Sequence, residues 1–61
     1  MKRSTFIKYL KVHHCILLRE GSNHSIFVNK KNQKQTSVGR HNELSDLLCK
    51  KICKQLEIPE I

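Results

Sequence analysis

A chain of 61 residues buries only about 60% of its unfolded surface, so one thin-cored domain over residues 1–61 is expected, with no second domain and no pocket deep enough for a large cofactor. Twelve Lys and Arg against five Asp and Glu leave a net charge of +7, whose natural counter-ions are phosphates, although an acidic protein or an anionic membrane would also answer it. No run approaches the roughly 18 apolar residues of a membrane span, so no membrane is expected and nucleic acid is the favoured partner.

From Ser4 to Val12, the residues Phe6, Ile7, Tyr9 and Leu10 fall on one side of a helical wheel while Lys8 and Lys11 face away, which predicts a short helix capped by Ser4 or Thr5. Cys15–Glu20 is apolar and then charged, and it runs into Gly21-Ser22-Asn23, the pattern of a strand entering a tight reversal. His24–Asn29, β-branched and aromatic at its centre, suits a second strand antiparallel to the first, with Ile26 and Val28 on the face of His24. The polar, cationic stretch Asn29–Gln35 is expected as an exposed hairpin loop, and Gln35–Val38 as a third strand ended by Gly39. Ser45-Asp46 can cap a last helix carrying Leu48, Ile52 and Leu56 at spacing four, widened by Leu47 and Cys49, with Lys50, Lys51 and Lys54 in water and Pro59 closing the element. The order α-β-β-β-α predicts an α+β fold, a three-stranded antiparallel sheet with two helices on one face. That is the layout of double-stranded-RNA-binding domains.

Four His and three Cys first suggest a metal site. Cys49 and Cys53 lie four apart on one helix face, but no C-x-x-C or H-x-x-x-H accompanies them, so they are read as small core residues and no metal or other cofactor is assigned. A nucleophilic thiolate would need a base beside it in a cleft, which nothing in the sequence suggests. Three cysteines cannot all pair within one chain, and the apolar residues after Met1-Lys2-Arg3 are broken by Lys8 and Lys11. No secretory segment is read, and reduced thiols in a cytoplasm are expected.

His24 differs from His13 and His14, which end the first helix where its dipole favours a cation. It follows the glycine turn at the start of a strand, a rigid place beside a flexible one. An imidazole both takes and gives a proton near neutral pH. Removing the proton of an RNA 2'-hydroxyl lets that oxygen attack the neighbouring phosphate, so scission needs a base, an acid and cations, with no obligatory metal. From the residues alone, a surface or turn-packing histidine is the favoured reading. Arg40-His41 forms a second basic spot that can bind phosphate or simply order the entry to the last helix. A non-catalytic RNA-binding module, or a basic face docking an acidic protein, would have the same composition.

Taken together, the helix with Phe6, Ile7 and Leu10, then Gly21-Ser22-Asn23-His24, Thr36-Ser37-Val38-Gly39-Arg40-His41, Lys51-Ile52-Cys53-Lys54-Gln55-Leu56 and Ile58-Pro59 resemble the HicA family of toxin–antitoxin toxins over nearly the whole chain. Many members carry proline before the Arg-His pair, where this chain has Gly39. The resemblance implies a double-stranded-RNA-binding-domain-like fold, ribosome-independent cleavage of mRNA, neutralisation by a HicB-type antitoxin, and a catalytic role for the histidine matching His24. Lys30, Lys31, Lys34, Arg40 and His41 are the candidates for holding RNA phosphates, on charge and loop position.

Overall fold

The computed structural model describes residues 1–60. In chain order it contains α1 (Arg3–Val12), β1 (Cys15–Glu20), β2 (His24–Asn29), β3 (Gln35–Gly39) and α2 (Asp46–Leu56). The strands form an antiparallel meander in the order β1-β2-β3. Strand alternation sends Cys15, Phe27 and Val38 to one face, where Phe6 and Leu10 of α1 and Cys49, Ile52, Cys53 and Leu56 of α2 pack against them. Each fully buried Phe, Leu or Ile in such a seam contributes about 1.5–3 kcal/mol. The α+β layout expected from the element order is the one observed.

Three local expectations need correction. The helix α1 begins at Arg3 with Lys2 in the cap position and no side-chain cap, so neither Ser4 nor Thr5 serves as one. Its first turn is held instead by backbone pairing: Arg3 N donates to Asn42 O at 2.8 Å, and Lys2 bridges Glu43. In α2, Ser45 Oγ accepts from Leu48 N at 3.1 Å as the cap pattern requires, but Leu47 is 65% exposed and Leu48 39%. The buried stripe is Cys49, Ile52, Cys53 and Leu56, spaced as one helical seam, and Leu48 falls at its margin.

The same helix stops at Leu56 rather than at Pro59. Glu57 takes the left-handed conformation at φ 58°, and Ile58 N donates back to Cys53 O at 3.0 Å. The loop after β2 is exposed at Lys30, Lys31, Gln33 and Lys34, as expected, but the asparagines at its start turn inward. Asn29 is buried, and the side-chain amides of Asn29 and Asn32 both donate to Leu56 O, at 2.9 and 3.1 Å. A helix leaves its last carbonyls without intrahelical partners, and two asparagines from a polar loop supply them here.

His24, Ile26 and Val28 share the sheet face away from the helices, as alternation requires. A bulge in β1 shapes the edge of this face. Leu17 pairs Phe27 and Arg19 pairs Ile26, so Leu18 is an extra residue and Glu20 comes opposite Ser25. Without the bulge Arg19 would stand there, because a one-residue slip exchanges the two faces of a strand.

Candidate active site

The turn between β1 and β2 is drawn tight by Gly21, whose N–H donates to His24 O at 2.7 Å. A Cβ at Gly21 would come within 3.1 Å of that carbonyl oxygen, and no glycine has a positive φ. Close approach, rather than left-handed backbone, is what the glycine permits. Arg40, one residue past β3, clasps the same turn: Nη1 donates to Ser22 O at 2.8 Å, and Nη2 reaches Gly21 O, His24 O at 3.4 Å, and Glu20 Oε1 at 2.8 Å. The planar fork of a guanidinium serves several acceptors at once, which an ammonium cannot do in the same geometry.

Behind the clasp runs a polar chain that the sequence did not reveal. Ser25 Oγ donates to Glu20 Oε1 at 2.6 Å, while Arg3 donates from Nη2 to Ser25 Oγ at 3.0 Å and from Nε to Gly39 O at 2.8 Å. The Ser25 hydroxyl, followed by the Arg40 guanidinium, holds the Glu20 carboxyl below the ordinary carboxylate range. The β1 bulge makes this possible by turning the carboxylate, not Arg19, toward Arg3 and Arg40. A lone acidic residue directly before a glycine turn was the available signal, but the bulge that aims it is a property of strand pairing.

The turn and the segment after β3 enclose an open cleft of about 450 Å³ lined by Ser22, Asn23, His24, Gly39, Arg40 and His41. Residues 39–44 are held at both ends, by the Arg3 bond to Gly39 O and by Leu44, which is buried in the core and donates its N–H to Met1 O at 2.8 Å. Three of the expected site residues, His24, Arg40 and His41, therefore meet in one place.

Lys30, Lys31 and Lys34 do not join them. They occupy the loop at the far end of β2 and β3, one six-residue strand away from His24, about 17–20 Å. Lys34 Nζ lies 3.7 Å from Glu57. The three cysteines are buried, and burial pushes the Cys15 and Cys49 thiols up, which makes a nucleophilic thiolate scarcer still.

Residues 3–58 match the family model described as the HicA toxin of bacterial toxin–antitoxin systems. The chain belongs to the HicA family. The match spans the glycine turn, His24 and the Arg40-His41 segment, so the whole cleft lies within it. As a HicA toxin the chain is one half of a toxin–antitoxin pair, and an antitoxin is its partner. No curated protein and no solved structure matches the chain. Among the described residues no helix of this HicA toxin is long and apolar enough to cross a membrane.

Proposed function

We propose that this HicA toxin is a metal-independent endoribonuclease acting on mRNA in the cytoplasm, with His24 as a catalytic acid or base, and that a HicB-type antitoxin neutralises it. The observation that carries this reading is the cleft itself: His24 stands exposed at its wall beside the fixed positive charge of Arg40, on a turn tied down by several hydrogen bonds. A phosphodiester seated there would have an imidazole for proton transfer, and it would compete with Glu20, 2.8 Å from Nη2, for the Arg40 guanidinium. Lys30, Lys31 and Lys34 would hold the RNA backbone several nucleotides away, and Arg40 and His41 would meet it within the cleft.

The test uses purified, folded protein free of antitoxin, incubated with single-stranded transcripts. Wild type is expected to cut, and His24→Ala to lower kcat by about 10²- to 10⁴-fold, the usual contribution of a positioned acid or base. The melting profile should stay unchanged, since His24 is exposed. Transcripts left whole by the wild-type protein would sink the reading, and cleavage undiminished in His24→Ala would remove His24 from it.

A further inference from the structure

In the β2–β3 register His24 stands directly opposite Gly39. Residues paired in this way point to the same face of a sheet, with their Cβ positions about 4.5–5.5 Å apart. A Cβ built on Gly39 would meet His41 Cδ2 at 3.8 Å. The His24 and His41 side chains therefore flank one shared point, the missing side chain of Gly39, and both line the same open cleft. His41 is not a loose loop residue, because the chain is fixed on either side of it. Arg40 is hydrogen-bonded to the glycine turn, and Asn42 O accepts from Arg3 N at 2.8 Å.

Resting on the endoribonuclease reading, we propose that His41 is the second proton-transfer group of the cleft, working as an acid–base pair with His24. Scission of RNA by its own 2'-hydroxyl forms the O2'–P bond and breaks the P–O5' bond. One proton leaves the 2'-oxygen and one must reach the 5'-oxygen. The entering and leaving oxygens lie on opposite sides of phosphorus, so a single ring cannot serve both at the same moment. One neutral imidazole takes the 2'-proton while the other, as imidazolium, gives its proton to O5'. The products are a 2',3'-cyclic phosphate and a 5'-hydroxyl, and no oxidant, reductant or metal is needed to balance the step. Among the described residues lining the cleft, His41 is the remaining side chain suited to this role. Ser22 and Asn23 carry no group that transfers a proton near neutral pH, and the Arg40 guanidinium is a donor committed to the glycine turn and Glu20.

The experiment compares wild type, His24→Ala, His41→Ala and His41→Gln on two RNA substrates, one ordinary and one with sulfur replacing the bridging 5'-oxygen at the cleaved bond. A sulfur leaving group departs without a proton, so the modified substrate rescues whichever variant has lost the acid. The pair predicts a bell-shaped dependence of kcat/KM on pH for wild type. It also predicts losses of about 10²- to 10⁴-fold in kcat for each variant on ordinary RNA, with opposite limbs of the bell removed. Finally, it predicts rescue by sulfur of one histidine variant and not the other. His24 and His41 are both exposed, so all four proteins should melt alike. If His41→Gln keeps kcat and the bell while only KM rises, His41 is a phosphate contact and the pair is wrong, although the cleavage reading stands. Rescue of neither variant overturns the pair as well. A wild-type protein that cuts neither substrate overturns the cleavage reading and the pair together.

Discussion

Glu20 joins three parts of the chain through one carboxylate. It accepts from Ser25 on the neighbouring strand and from Arg40 after β3, and the same Ser25 is held by Arg3 of α1. Its carboxyl is held below the ordinary range by the Ser25 hydroxyl first and by Arg40 second. Because the folded value lies below the unfolded one, ionised Glu20 stabilises the fold fully above the ordinary carboxylate range. That contribution fades as pH falls through the lowered folded value. Melting temperatures measured from neutral pH into the acid range should therefore fall more steeply for wild type than for Glu20→Gln, in which no proton is taken up at this position. Parallel curves for the two proteins would mean that Glu20 does not feel its neighbours. Sequence reading placed His24 at the mouth of a turn but could not see this support, since the carboxylate reaches Ser25 only through the extra residue Leu18 in β1.

Helix α2 shows how an element can be bounded by partners that its own sequence does not name. Its start was legible, because Ser45 is a cap by chemistry and accepts from Leu48 N three residues on. Its end was not, because Glu57 adopts a left-handed backbone that favours glycine, and the carbonyl of Leu56 is satisfied by two asparagines from a distant loop. A non-glycine residue in that conformation costs about 1–2 kcal/mol. Glu57→Gly would remove this cost while giving up only an exposed ion pair with Lys34, worth at most about 1 kcal/mol. The expected outcome is a net gain of up to about 1 kcal/mol, seen as a rise of several degrees in the melting temperature of so small a domain. A lowered melting temperature would show that the Lys34 pair matters more than the backbone. Cys49 and Cys53 were read correctly as core residues, but Leu47 and Leu48 were placed on the apolar stripe and are exposed, because helical spacing gives a face but not the line along which that face meets a sheet.

Across the whole molecule, the candidate RNA contacts are divided between two ends of the sheet, while most of the other Lys and Arg lie on the helices. His24, Arg40 and His41 surround the cleft at one end, and Lys30, Lys31 and Lys34 occupy the loop at the other. The molecule extends 27 × 25 × 16 Å, so an RNA strand touching both ends would cross most of one face. Replacing Lys30 and Lys31 by Ala should weaken RNA binding and reduce the slope of log affinity against log salt by about 0.7 for each phosphate that the loop no longer neutralises. An unchanged slope would show that this loop holds no phosphate and that the recognised strand is confined to the cleft.

The order of elements, the cap at Ser45, the alternation of β2 and the basic surface were all determined by the sequence itself, because each depends on neighbours a few residues apart. The convergence of His24 with His41 over Gly39 and the aim of Glu20 at Arg40 were decided only by tertiary structure. They depend on strand register, on one inserted residue in β1 and on a segment pinned between α1 and the core, and each of these arises from pairing between residues far apart in the chain.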